Sequence, residues 1–401
     1  AEDLLNRIIE KEPKHKTARR LLGVALFGQN KQEQAVKVLR EQIKINPFDN
    51  YAYSILAQVF WRQQNYSEAE TAFRKQIEIT PLDKHARGNL GQMLVESRKY
   101  KEALPELEQG ISLNPDEASL HVSLGRAYLN VEQTEKAIES FERAIKLEPG
   151  PAVWNDVSYF LSLKKVQLEK AQRYAESAVT AIATDLRNVE LDGLTIEDLG
   201  DVDRISAYWD TLGWVHFQSG NLDLAEKYIQ SAWSLSQHSE VGYHLGQIWE
   251  KQGKTAEASR MYATATVATQ LVPEARESLE RMVGKEKSEL YVKEATEAFR
   301  EARTVKLGRV LKRVQETSEA QFYIVLVPGV AGRAEVAEVK FISGDEKLKT
   351  LEAALKTANF GFKFPDERAT KIIRRGVGFC NALGGECSFI MLNPGLITSV
   401  D

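Results

Sequence analysis

Proline returns at Pro13, Pro47, Pro81, Pro115 and Pro149, a constant step of 34 residues, and the positions between repeat with it. Leu22, Leu56, Leu90 and Leu124 keep the step, each followed by a small residue (Gly23, Ala57, Gly91, Gly125), as do Ala35, Ala69, Ala103 and Ala137. A fixed period of this size narrows the fold to stacked repeats. Each unit is one supersecondary element that cannot bury its apolar face alone, so neighbours must supply the core.

The spacing inside a unit names the element. From Ala118 to Glu148, Leu124, Gly125 and Tyr128 share one face of a helix, and Ala137, Phe141 and Ala144 share one face of a second. Gly125 and Ala137 let the two helices approach closely, and Phe141 fills the space beside them. Asn130 to Thr134 is a polar turn. Pro149 cannot continue a helix and holds Glu148 toward extended geometry, so the second helix stops there. Large apolar, small, bulky, then alanine and proline at a 34-residue period closely resembles the tetratricopeptide repeat (TPR). The resemblance implies an α-solenoid of helix-turn-helix units.

Ala1 to Glu10 reads as a lone second helix, as if the fragment began inside a longer array or capped it, and the start at Ala1 reads as a trimmed or mature product. Complete units follow from about Lys16, Asn50, Lys84 and Ala118, with Leu39, Phe73, Leu107 and Phe141 at the bulky position. Pro105 is expected in the first turn or so of a second helix. A degenerate fifth unit keeps register through Ala171, Ala175 and Ala178. Order returns at Trp209, Leu212, Gly213, Ala225 and Ala232 after an insertion of 20 residues near Asp185 to Arg204, expected as an acidic, turn-rich loop. The last unit repeats at 33, giving seven units. Pro273 to Val283 and Ser288 to Val305 then read as capping helices.

At Ala320 the texture changes. Gln321 to Val327 and Val336 to Ile342 read as strands, Glu346 to Ala358 as a helix, and Gly361 to Phe364 as a short strand. Lys371 to Phe379 and Cys387 to Leu392 form a hairpin around Asn381 to Glu386. The order implies a small α+β domain on a largely antiparallel sheet. The expected fold is therefore mostly α: a TPR superhelix over 1–270, capping helices and linker over 271–318, and the α+β domain over 319–401. The run VKFISGDEKLKTLEAALKTANFGFKF loosely resembles the C-terminal domain of TonB-type envelope proteins. Ala207 to Lys254 is similar to the TPR-bearing C-terminal half of bacterial proteins with a transglutaminase-like domain upstream; no such catalytic domain lies in these 401 residues.

Chemistry for catalysis is not apparent. None of the six histidines forms HExxH or sits beside a cysteine; His238 and His244, the nearest pair, straddle a repeat boundary and read as surface or packing residues. Gly253-Lys254-Thr255 imitates the end of a phosphate loop, but Ile248 stands where that loop needs glycine. No enzyme, metal or cofactor is expected. A net charge of −4 gives no reason to expect nucleic acid, and no apolar run approaches the 18 residues of a membrane span.

Binding is the stronger expectation. TPR geometry, as the resemblance implies it, turns positions two, five, nine, twelve and thirteen of each unit into the groove of the superhelix. Those positions, with Asn89 alongside, give Arg20, Tyr51, Gln58, Trp61, Arg62, His85, Asn89, Gln92 and Arg126 as candidate peptide-binding residues. The arginines suit carboxylates, the amides suit a peptide backbone, and Tyr51 and Trp61 suit stacking. The family's clamp for chaperone C-terminal carboxylates is not matched: its places carry Arg20, Val24, Ile55, His85 and Asn89, and Val24 and Ile55 donate no side-chain hydrogen bond. The expected function is a scaffold or adaptor for a peptide or partner protein; the alternative is the accessory half of a larger bacterial envelope enzyme.

Cys380 and Cys387 are the only cysteines. They are either two free thiols in a reducing compartment or a disulfide across the expected hairpin. The bond would stabilise that small loop by ~2–3 kcal/mol and place the domain outside the cytosol, in the periplasm or cell envelope.

Overall fold

The structure, a computed structural model, describes residues 2–269, 272–311, 318–366, 370–381 and 386–392. The chain divides into two compact units, Ala1–Val153 and Trp154–Asp401.

The first unit opens with α1 (Glu2–Lys11) and continues as four helical hairpins: α2 (Ala18–Gly28) with α3 (Gln32–Ile45), α4 (Asn50–Arg62) with α5 (Tyr66–Ile79), α6 (Ala86–Glu96) with α7 (Tyr100–Leu113), and α8 (Ala118–Asn130) with α9 (Thr134–Leu147). The recurring alanines Ala35, Ala69, Ala103 and Ala137 are fully buried, as are Leu39, Phe73 and Leu107, and Phe141 is buried beside them. A Cβ added at Gly125 would stand 2.5 Å from the Phe141 ring, so the glycine sets how closely α8 meets α9. Asn30, Gln64, Arg98 and Glu132, one per turn at the 34-residue step, all adopt positive φ between 57° and 64°. Pro105 lies in the second turn of α7, deeper than expected, and its ring removes one backbone hydrogen bond there.

A polar relay also repeats. Gln42 Nε2 donates to Asp49 Oδ2 (2.8 Å) while Asp49 Oδ1 accepts from Ala52 N–H (3.1 Å) to cap α4. Thirty-four residues on, Gln76 Nε2 donates to Asp83 Oδ2 (3.1 Å) and Asp83 Oδ1 accepts from His85 and Ala86 N–H at the start of α6.

α10 (Pro151–Leu163) leads into the second unit, and its Ser158 hydroxyl donates to Ala171 O (2.7 Å) on α11 (Leu168–Asn188); α12 (Ile196–Gln218) with α13 (Leu222–Ser236) and α14 (Ser239–Lys251) with α15 (Thr255–Val267) follow. The insertion is not the expected loop. α11 extends to Asn188, and Thr195 and Asp198 form a reciprocal capping box that opens α12 one residue later, so Glu197, Asp198, Gly200, Asp201 and Asp203 are helical. The link between them buries Leu191 and Leu194, with Leu199, against Tyr323, Val325 and Ile373.

α16 (Pro273–Val283) matches its expected bounds, but α17 (Lys285–Glu301) stops early because residues 304–309 join the sheet as β1 (Thr304–Arg309). β2 (Ser318–Pro328), β3 (Ala334–Gly344), the short helix α18 (Leu351–Lys356) behind a 3-10 turn at Glu346–Thr350, β4 (Ile372–Cys380) and β5 (Glu386–Met391) complete the domain. The strands lie in the order β1-β5-β4-β2-β3, every pair antiparallel. From Phe322 to Val327 the strand is apolar throughout because both its faces are covered: Phe322, Ile324 and Leu326 share a core with Leu348, Leu351 and Leu355, while Tyr323 and Val325 meet the insertion.

The strand expected at Gly361 to Phe364 is absent from the sheet; one isolated bridge joins Lys363 to Arg333. Phe362 and Phe364 turn instead onto the buried Trp209 of α12, each 6.4 Å from its ring. Cys380 and Cys387 oppose each other on β4 and β5 and are disulfide-bonded. Of the expected connecting turn, 382–385 lie outside the described residues. In fold class the protein is mostly α, helix-turn-helix repeats of solenoid type followed by a small antiparallel-sheet domain.

Candidate functional site

α4 buries Ala52, Leu56, Val59 and Phe60 and leaves Gln58, Trp61 and Arg62 on its other side. Beyond its end, the left-handed turn at Gln64 carries the chain into α5, whose first residue is Tyr66. On α6, Leu90, Met93 and Leu94 face inward while Asn89 and Glu96 do not. These two first helices and the intervening turn enclose a recess of about 540 Å³ lined by Gln58, Trp61, Arg62, Gln64, Tyr66, Asn89 and Glu96.

Trp61 is the fixed wall. Its ring stands edge-on to Phe73 with centroids 6.0 Å apart, and its Nε1–H donates to Glu96 Oε2 at 2.5 Å. The Arg62 guanidinium lies over the Phe27 ring at 5.6 Å and has no carboxylate within ion-pair distance among the described residues. Burial and the Glu96 anion push the Tyr66 phenol up, and the Arg126 guanidinium works in the other direction. The recess therefore combines an aromatic wall, three neutral amides, one exposed cation and one oriented anion.

Four of the nine candidates, Gln58, Trp61, Arg62 and Asn89, meet at this recess, and the charge of Arg126 reaches Tyr66 at its edge. The others sit apart. Arg20 donates to the helix-capping Asp49 (3.0 Å) and lies over the exposed Tyr51 ring at 5.2 Å. His85 precedes α6 with its N–H on Asp83, and Gln92 donates to Ser119 (3.1 Å). Glu96 was within reach of the repeat count, since it stands at position thirteen of its unit. Gln64 and Tyr66 follow the first helix, where that count does not extend.

Elsewhere, His244 is buried against Asp210 (Nδ1 to both oxygens, 3.0 Å) and stacks on Trp214 at 4.1 Å. Burial opposes its charge, but the Asp210 anion and hydrogen bond outweigh that and raise its pKa. Lys254 of the phosphate-loop imitation is held by both oxygens of Glu226 (2.8 and 2.9 Å). Among the described residues no cluster of His, Cys, Asp and Glu suits a metal ion, and no helix is long and apolar enough to cross a membrane.

Family models of the tetratricopeptide repeat match residues 1–50, 33–84 and 94–155. Among solved structures, YrrB, described as a TPR protein with an unusual peptide-binding site, is 20% identical over 45% of this chain and 93% of its own, with a TM-score of 0.39. MamA (41 to the end) from Desulfovibrio magneticus RS-1 is 23% identical over 41% of this chain and 94% of its own, with a TM-score of 0.39. The APC/C hetero-tetramer Cut9–Hcn1 is 13% identical over 70% of this chain and 52% of its own, with a TM-score of 0.49. No curated protein matches the sequence. The chain carries tetratricopeptide repeats, an architecture generally used to scaffold protein interactions.

Proposed function

We propose that the chain is an interaction scaffold whose first unit holds an extended peptide segment of a partner protein on α4 and α6. The convergence of Gln58, Trp61, Arg62 and Asn89 on one open recess carries the reading. The neutral amides Gln58, Gln64 and Asn89 supply donors and acceptors for a peptide backbone, the Trp61 ring packs a side chain, and exposed Arg62 takes a carboxylate. No step in this reading breaks or forms a covalent bond. The disulfide between Cys380 and Cys387 supports a location in an oxidising compartment.

The test is a pull-down from the source cell extract with the full chain and an Arg62→Ala, Asn89→Ala, Arg126→Ala variant of matched thermal stability. Recovery of a partner by the parent but not the variant is the expected outcome. Equal recovery by both would move the function away from this recess.

A further inference from the structure

The two charges of the recess are held apart and have opposite sign. Arg62 ends α4 and is steadied over Phe27, while Glu96 ends α6 and is steadied by the Trp61 indole, which occupies Oε2 and leaves Oε1 open to a ligand. They therefore occupy equivalent ends of two successive first helices, one repeat apart. No ion pair joins them, so neither charge is cancelled by the other. With a cation at the end of one first helix and an anion at the end of the next, the recess is electrically polar along the direction that crosses the repeats.

In an extended peptide successive side chains point to opposite faces, so two that meet one recess stand an even number of residues apart. We infer that the recess selects an extended segment with an acidic and a basic side chain on the same face, the acid on Arg62 and the base on Glu96, and so fixes the direction in which the segment runs. The inference rests on the peptide-groove reading and adds to it the partner's charge pattern and polarity. A uniformly acidic or basic segment would meet one like charge and be rejected, which is specificity by repulsion as well as attraction.

The experiment displays a random heptapeptide library to the full chain and to an Arg62→Glu, Glu96→Arg double variant. The expected parent pool carries acid and base an even number of residues apart in one order, and the variant pool carries them in the opposite order. For a peptide from the parent pool, Arg62→Gln or Glu96→Gln alone should weaken binding about tenfold. These milder changes keep the test open if the double reversal does not fold. Trp61→Phe, which keeps a ring but loses the N–H that orients Glu96, should weaken selection for the base and leave selection for the acid. Enrichment without charge order, or the same order in both pools, would overturn this inference and leave the groove reading standing. No enrichment by a folded parent chain would overturn both.

Discussion

Within residues 1–153 the turns between helices, and the Gln–Asp contact between repeats, return at a step of 34; within 154–401 the contacts that join the elements do not. Gln42 and Asp49, seven residues apart, become Gln76 and Asp83, also seven apart. In the second unit the decisive contacts are long-range: Arg374 donates to Leu235 O across 139 residues, Tyr228 to Asp366 across 138, and Ser231 to Lys363 O across 132. The first unit is held by repeated local agreements, whereas helices and sheet of the second must find each other across the sequence. Local agreement makes a region readable and divisible, and long-range closure makes it cooperative.

The largest effects should come from buried aromatics. Phe141→Ala and Trp209→Ala each remove a buried ring at a cost of about 3–5 kcal/mol. Hydrogen exchange should separate them: Phe141→Ala should raise exchange in α8, α9 and the adjoining helices of the first unit. Trp209→Ala, which also strips the support of Phe362 and Phe364, should open α12 and the β2 and β4 amides together. Sheet amides that stayed protected in Trp209→Ala would break the contrast.

An intermediate effect tests translation itself. Asp49→Ala and Asp83→Ala each remove a helix cap and a glutamine partner, costing about 1–2 kcal/mol by denaturant unfolding. Asp49→Ala should cost more because Arg20 also loses its acceptor. A free Asp83→Ala substitution would show that the relay is decoration.

The smallest effect is a pair of opposed titrations in the second unit. The raised pKa of His244 gives stability present below its ordinary 6.5 and lost as pH climbs through the raised value. Burial, against a weaker pull from the Glu176 anion, lowers the pKa of His216, so its neutral form is preferred and stability is lost as pH falls below 6.5. Thermal melts from acidic to mildly alkaline pH should therefore drop with rising pH in His216→Phe and with falling pH in His244→Asn. Equal slopes in both variants would exclude the assignment.

The same contrast explains what could be read in advance. Ala137 and Phe141 were legible because their partners recur at a fixed step. Glu96 stands at a counted position yet was not among the candidates, and Thr195 with Asp198 carried a capping signature that the glycines and aspartates around them obscured. β1 was not legible: Thr304 to Arg309 adjoin a helix without a turn signal, and their partner β5 lies some eighty residues further on. Phe362 and Phe364 alternate as a strand would, yet the force that places them is Trp209, about 150 residues earlier.

The Gln–Asp relay has a further consequence for the array as a set of interchangeable parts. Removing residues 50–83 would join Asp49 to Lys84, delivering to the start of α6 the same carboxylate that Asp83 now supplies, with Gln42 behind it in place of Gln76. The seams before α4 and before α6 carry the same fittings, whereas Gly110 and Glu117 stand at those places before α8. Gain or loss of that 34-residue block would change the length of the array while leaving the joint before α6 as it was.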